Sequence, residues 1–310
     1  MAISRTTTHD DSKVRLRRRE WLHNLGRAAR TPRGAVGLVM VTFVGLVAAI
    51  GPSVAPYSST SFETVPFGQP SKSYLLGGDV LGRDVLSRVL DGGWQLLLMA
   101  LAATIFGVAV GAIAGISAAY LKGAADGLIM RTVDVVLAFP QLVFALLLVS
   151  IIGPKVWIIV LAVGLSHAPQ VARVLRSAAL DISESDFVKV VELQGVSSTR
   201  VMTGEVLPNL VTPLMVEAGL RLTYSIVIMA GLSFLGFGIA PPAPNWGTMI
   251  NENQVGLASN VWGVVAPVLL IVCLTIGTNI FTDAFTRVSL GIGRSERVDV
   301  LEAELGVEPL

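Results

Sequence analysis

Few side chains in this sequence could carry out chemistry. The three histidines, His9, His23 and His167, are scattered without the spacing of metal ligands, and the single cysteine, Cys273, excludes a disulfide framework and a thiolate metal site. No G-x-x-x-x-G-K-[ST] phosphate loop occurs, so we do not expect nucleotide hydrolysis by that route. There is no H-E-x-x-H motif, and no nucleophile and base stand out as a protease pair. The sequence therefore predicts a chain that is not an enzyme and binds no cofactor of its own.

The ionisable residues of interest lie inside apolar segments, where a charge is costly to hold. Glu217 and Arg221 are four residues apart in such a segment, so on a helix they would share one face and could pair. The pair could line a polar path or stabilise one face of a bundle, and the sequence leaves both open. Asp84 and Arg88 have the same spacing in a more polar stretch, where we expect a local pair within one helical turn.

A polar run at residues 183–208 interrupts the apolar segments. We predict a short amphipathic helix from Glu184 to Gln194, which Ser183 and Asp186 would begin as a capping box. Gly195 would end it, because glycine readily takes the left-handed conformation of a C-cap. Because so short a helix is marginal alone, it needs a docking surface, which a partner protein could supply. The polar face carries Asp186, Lys189 and Glu192, and the other face carries Phe187, Val190, Val191 and Gln194.

The elements that position these residues are membrane helices. The 310 residues are 53% hydrophobic and only 15% charged, and the mean hydropathy of +0.69 is too high for a soluble domain of this length. A spanning helix needs about 20 apolar residues to cross a hydrocarbon core of about 30 Å. We therefore predict an all-α membrane protein with six transmembrane helices. The six stretches are Gly34 to Val54, Trp94 to Leu121, Leu128 to Ile152, Val156 to Val174, Pro208 to Leu235 and Trp262 to Phe285.

The basic residues predict the orientation. With the N-terminus in the cytoplasm, only Lys72, Arg83, Arg88 and Lys155 fall in outside loops, and positive charges near span ends tend to stay inside. Both termini are therefore expected in the cytoplasm. The predicted organisation is a tail at 1–33, a first span at 34–54, an external loop at 55–93, a five-helix core at 94–287 that includes the polar run, and a tail at 288–310.

Packing residues stand out in two further places. Gly107, Gly111 and Gly115 recur every four residues on one face of the second span, a spacing that lets another helix approach closely. In the later external loop three prolines exclude regular helix, and Trp246 follows them. We expect this tryptophan to anchor the loop at the level of the lipid headgroups.

Several motifs in the same order resemble the inner-membrane permeases of dipeptide and oligopeptide ABC importers, in particular their C-type subunit. They are GGDVLGRDVLSR ahead of the second span, LIMRTVDVVLAFP at the start of the third, DFVKVVELQGV with EVLPNLVTPL in the polar run, and LSFLGFGIAPPAPNWGTMI after the fifth span. The polar run looks like the cytoplasmic coupling loop of those permeases. That loop usually reads Glu-Ala-Ala, where this chain has Lys189, Val190 and Val191. The glycine, Gly195, and the Leu-Pro end, at Pro208, are kept. Met229 stands where relatives often carry an acidic residue.

The resemblance implies the type I permease fold of ABC importers, with six transmembrane helices and a cytoplasmic coupling helix, in the inner membrane of a bacterium. It implies a sister permease, two cytoplasmic ATPases that hold the ATP and Mg, an external substrate-binding protein, surrounding membrane lipid and a peptide substrate, with no role for nucleic acid. The expected ATPase-coupling residues are Phe187, Lys189, Val190, Val191, Gly195 and Pro208, and Glu217 with Arg221 are candidates for the translocation path.

A structural or scaffolding membrane protein would explain the packing glycines but not a docking helix. Two transport alternatives also stay open. One is an importer of the same architecture for nickel chelates or another small solute. The other is a secondary transporter without an ATPase, for which broken helices and inverted repeats near the midplane are expected. The sequence contains no convincing second copy of either half.

Overall fold

The chain folds into a bundle of helices. The computed structural model describes residues 23–239 and 241–291, and no β-strand occurs within these ranges. Most of the tail predicted at 1–33 and of that predicted at 288–310 lies outside them. The helices are α1 Pro32–Val54, α2 Val85–Asp91, α3 Trp94–Leu121, α4 Gly123–Leu137, α5 Gln141–Ile152, α6 Val156–Ser183, α7 Asp186–Leu193, α8 Ser198–Val201, α9 Leu207–Asn209, α10 Val211–Leu232, α11 Trp246–Asn253 and α12 Trp262–Leu290. π-helical turns follow α8 and α10.

Five of the helical segments are long and apolar enough to cross a membrane, and α4 with α5 bring the number to six if they form one span. The first and last spans pack on each other. A Cβ at Gly37 of α1 would stand 2.7 Å from the carbonyl oxygen of Gly277 of α12, so the two backbones are in direct contact. Thr31 begins α1 by accepting a hydrogen bond from the Gly34 amide at 3.0 Å.

The glycine face of the second span packs on α6, which confirms the predicted close approach. A Cβ at Gly107 would stand 2.5 Å from the carbonyl oxygen of Gly164, and one at Gly111 would stand 2.6 Å from that of Ala168. Both pairs are separated by 57 positions in the sequence, so α3 and α6 run parallel. The chain must therefore cross back between them, and α4 and α5 make that crossing.

The third predicted span, Leu128 to Ile152, is not one helix, and this part of the prediction is wrong. α4 ends at Leu137, α5 begins at Gln141, and the two helices are bent by 90°. Pro140 explains the break, because a proline has no amide hydrogen and disfavours helical geometry in the residue before it. The long apolar run suggested a single helix, although the sequence contains Pro140 within it.

The segment 55–93 and the segment 241–261 fold together into a cap over the end of the bundle where α3 begins. The side chain of Asn253 accepts a hydrogen bond from the Val80 amide at 3.0 Å, and Asn260 donates to the carbonyl oxygens of Leu76 and Gly78. Trp246 is fully buried beneath this cap, and its indole nitrogen donates to the carbonyl oxygen of Val89 at 2.8 Å. The prediction of a headgroup anchor is therefore wrong, since the ring packs over Gly93 instead.

Four charged side chains meet inside the cap. Arg83 contacts Asp79 at 2.6 Å and Glu252 at 2.8 Å, and Arg88 contacts the same two carboxylates at 3.2 and 2.9 Å. The expected pair of Asp84 with Arg88 does not form. Asp84 begins α2 instead, by accepting a hydrogen bond from the Ser87 amide at 2.8 Å. The network ties the segment before α3 to α11.

Candidate functional site

The short helix of the polar run, α7, lies at the opposite end of the bundle from the cap. It spans Asp186–Leu193, so it begins two residues later than predicted. Ser183 does not cap it, because this residue is still the last one of α6, and Ser185 occupies the capping position. The prediction for its end is confirmed. Gly195 has a φ of +76°, and its amide donates to the carbonyl oxygen of Glu192 at 2.9 Å.

The two faces of α7 differ from the predicted ones by one position. Val188 is fully buried and Val191 is partly buried, so these two valines hold the helix to its own chain. Phe187, Val190 and Leu193 are 46%, 53% and 88% exposed. The predicted apolar face grouped Val190 with Val191 and omitted Leu193. Spacings of three place the exposed residues on one side of the helix, where they form what we term the apolar stripe.

The segment that follows α7 is anchored in the bundle. Val201, Val206 and Leu210 are buried, and the last two belong to a cluster with Ile116 of α3 and Ala179 of α6. Within this segment Pro208 is the second residue of α9, a position that tolerates the missing amide hydrogen. The apolar stripe is therefore displayed on a fixed base.

Three ion pairs lie at the same end of the bundle as α7. Lys122, which follows α3, contacts Glu184, which precedes α7, at 3.1 Å. Arg176 of α6 makes a two-pronged contact to Asp126 at 2.6 Å for each oxygen. Lys189 is exposed, and its nitrogen is 3.4 Å from Asp186 on the same helix. The Lys122 and Lys189 pairs are exposed and contribute little to stability, whereas the partly buried Arg176 pair fixes the position of α4 on α6.

The predicted pair of Glu217 and Arg221 is present in α10. Their side chains approach to 3.2 Å, and both residues are buried. The guanidinium carbon of Arg221 also lies 5.2 Å from the ring centre of Tyr224, which is half exposed. Because Arg221 is near the middle of a 22-residue helix, the charge lies deep in the span.

A large cavity opens beside these residues without including them. It has a volume of about 950 Å³ and lies between α1, α3, α10 and α12, with the segment after α7 at one end. Its walls are almost entirely apolar, with a few threonine hydroxyls such as that of Thr104. Leu222 and Gly219 of α10 line it, whereas Glu217 and Arg221 do not. The structure does not place the predicted path residues in this cavity.

No group of three histidine, cysteine or acidic side chains that could hold a metal ion occurs in the described part of the chain. Among these residues, His167 is fully buried in α6, and Cys273 in α12 is a free thiol.

Comparison with known proteins decides what this arrangement is. Residues 107–289 match the family described as binding-protein-dependent transport system inner membrane component. The chain belongs to this family. The matched region begins in α3 and ends in α12, so it holds the close helix pair, the broken third span, α7 and its base. The α1 helix and the whole cap segment 55–93 precede it.

Three curated relatives of this permease are similar over most of their length. The di/tripeptide transport system permease of Pseudomonas aeruginosa is 34% identical over 81% of this chain and 86% of its own. The dipeptide transport system permease of Haemophilus influenzae is 32% identical over 81% and 88%. A putative peptide transport system permease of Brucella suis is 31% identical over 88% of each chain. The fold predicted from the sequence, a type I permease of all-α architecture, is confirmed.

Sequence reasoning missed two parts of the site. Leu193 is the most exposed member of the apolar stripe, and its spacing of three from Val190 was a usable signal. The second omission is the set of polar side chains around the break of the third span, where Gln141 of α5 meets Ser166 and His167 of α6. Residues so distant in the sequence carry no local signal of their contact.

Proposed function

We propose that this chain is the transmembrane permease subunit of an ATP-driven importer that carries peptides across the cytoplasmic membrane of a bacterium. Family membership supports the role of an inner membrane transport component. The names of the relatives, which specify di/tripeptide, dipeptide and peptide transport, favour peptides over nickel chelates or another solute. The broken third span is a feature also expected of secondary transporters, but the family match favours an importer that depends on a binding protein.

The observation that carries the proposal is the apolar stripe on α7. Phe187, Val190 and Leu193 expose large apolar side chains on a helix whose base is anchored in the bundle. In the proposed complex the stripe enters a groove on a cytoplasmic ATPase, because an amphipathic helix docks its apolar face in such grooves. Lys189 and Val191 flank the stripe and orient it, while Gly195 and Pro208 shape the turn and the return into α10.

The remaining partners follow from this arrangement. A sister permease completes the pore, two ATPases bind the ATP and Mg, and an external binding protein delivers the peptide to the cap. ATP hydrolysis belongs to the ATPase subunits, since this chain has no phosphate loop. Closure of the ATPase pair would move α7 and rock the spans from an inward-open to an outward-open state. The excess of basic residues at the α7 end supports a cytoplasmic location for that end and for both termini.

Copurification tests the proposal. The full complex, expressed with a tag on this chain, should bring two ATPases and a sister permease. Replacing Val190 or Leu193 with Asp should remove the ATPases while the sister permease stays, because a carboxylate buried without a partner costs several kcal/mol. Val255→Asp, the same change at an exposed valine of the cap, is the matched control and should leave the ATPases bound. An unmodified complex without ATPases, or full ATPase recovery with both α7 variants, would contradict the proposal.

A further inference from the structure

A polar centre lies at the break of the third span, deep within the bundle. Gln141, the first residue of α5, places its amide nitrogen 3.4 Å from Nδ1 of His167 and 3.4 Å from the carbonyl oxygen of Ser166. With its amide oriented to suit its neighbours, Gln170 donates to the carbonyl oxygen of His167 at 3.0 Å and accepts from Gln141 at 2.8 Å. Pro169 lies between these residues in α6. Irregular backbone at membrane depth is tolerated where it is enclosed by protein or lines a cavity, and not against lipid.

The N-terminus of α5 is open at this centre. No side chain caps it, and its first internal hydrogen bond runs from the Phe144 amide to the carbonyl oxygen of Pro140. The amides of Gln141, Leu142 and Val143 therefore point out of the helix end, which carries a partial positive charge. In discontinuous membrane helices, such ends face the anionic groups of substrates.

A guanidinium lies at the level of the same centre. Ala218 of α10 packs against the cluster that contains Val171 of α6, and Ile228 of α10 shares a cluster with Val163 of α6. Arg221 lies between these contacts on α10, as His167 does on α6. Glu217 approaches Arg221 at Nε, and none of the described residues accepts a hydrogen bond from the two terminal amino groups of Arg221. A guanidinium with both amino groups available suits a carboxylate, which it can bind in a two-pronged manner.

The imidazole of His167 adds an independent sign of a ligand. His167 is fully buried, and its Nε2 has no hydrogen-bond partner within residues 23–239 and 241–291. Buried polar atoms are paired in the great majority of cases, and one left over marks a place where a further group can bind. The open helix end, the guanidinium and this imidazole belong to α5, α10 and α6, three helices that pack on one another.

We propose that these three groups form a transient binding site for the C-terminal carboxylate of the peptide in transit. The inference rests on the proposed function, since it assigns the carboxylate to a peptide. Arg221 and the amides at the start of α5 contact the carboxylate, and Glu217 positions the guanidinium. Gln141 and Gln170 each combine a donor with an acceptor, so they pair with peptide groups of any sequence. The site would select for a free C-terminus and tolerate the side chains.

Photo-crosslinking to the reconstituted complex without its external binding protein tests the site directly. The probe is an alanyl-alanyl peptide that ends in a diazirine-bearing leucine, prepared as the free acid and as the C-terminal amide. In the unmodified complex the free acid should label residues 139–170 or 211–232 of this chain at least about tenfold more strongly than the amide, because a charge-assisted pair is lost. Arg221→Gln should lower labelling by the acid to that of the amide. Arg287→Gln, a change at an exposed arginine of α12, is the control and should not alter it.

The double variant Glu217→Gln with Arg221→Gln keeps the test valid if the single variant fails to fold, because it strands no charge. Equal labelling by acid and amide, or labelling unchanged in a folded variant that lacks the guanidinium, would overturn the carboxylate site. Uptake of the free acid by the unmodified complex with its binding protein is measured alongside. If uptake occurs while the labelling pattern fails, the site alone is wrong, whereas absence of ATP-dependent peptide uptake would refute the proposed function.

Discussion

Replacing Gly111 with alanine should push α3 and α6 apart. A Cβ at this position would stand 2.6 Å from both the carbonyl oxygen of Ala168 and Cβ of Val171. To restore an ordinary contact of 3.4 Å, α3 and α6 would have to move apart by about 0.8 Å, because neither atom is at the end of a flexible side chain. Overpacking of this kind costs roughly 1–3 kcal/mol. The better helix propensity of alanine would offset only about 0.5–1 kcal/mol of it.

Thermal unfolding of the purified protein in detergent measures the effect. The Gly111→Ala protein should unfold several degrees below the unmodified one. Gly45→Ala is the matched control, since a Cβ at Gly45 in α1 meets nothing within 4 Å, and this variant should unfold at the same temperature or slightly higher. If Gly111→Ala were as stable as Gly45→Ala, the backbone contact between α3 and α6 could not be as close as described.

Three further predictions concern α7, the cap and the orientation. Gly195→Val should keep normal membrane levels but lose substrate-stimulated ATPase activity of the reconstituted complex, since a β-branched residue is strained at a φ of +76°, and full activity would contradict the role of this turn. Arg88→Met should destabilise the cap by roughly 3–5 kcal/mol, because it leaves the buried Asp79 and the partly buried Glu252 with one guanidinium; limited proteolysis should then cut residues 55–93 faster, and an unchanged rate would refute the network. In a chain lacking Cys273, a cysteine at Gln69 should react with an impermeant thiol reagent in intact cells and one at Ser198 only after lysis, whereas the reverse pattern would invert the proposed topology.

Local spacing predicted the parts of the structure that depend on one helix. The Glu217 and Arg221 pair, the glycine face of α3 and the left-handed end of α7 at Gly195 all follow from residues at most eight positions apart. The partner of the glycine face did not follow, because nothing in α3 indicates that α6 supplies it. The sequence of a helix shows which small residues share one face. Which helix packs on that face depends on the whole bundle.

The errors of prediction arose where a distant contact outweighed a local one. Arg88 has a carboxylate four residues away in Asp84, yet it pairs with Asp79 and with Glu252, which is 164 residues away in the chain. The cap encloses these charges, and a buried guanidinium is best satisfied by two carboxylates. Trp246 follows the same logic. A tryptophan in an external loop suits a headgroup anchor, but the glycine at position 93 leaves room for the ring inside the protein.

The contact between α1 and α12 sets the order of events during synthesis. α1 is made first, but the helix on which it packs through Gly37 and Gly277 is made last. At about 5–20 residues per second, the ribosome needs roughly 10–50 s to add the 236 residues from Val54 to Leu290. During that interval α1 can already pack on α2, where Gly51 meets Leu90, but Gly37 lacks its α12 neighbour. The bundle can therefore close only after its final helix enters the membrane, and a nascent chain stopped before α12 would leave the Gly37 side of α1 uncovered by its partner helix.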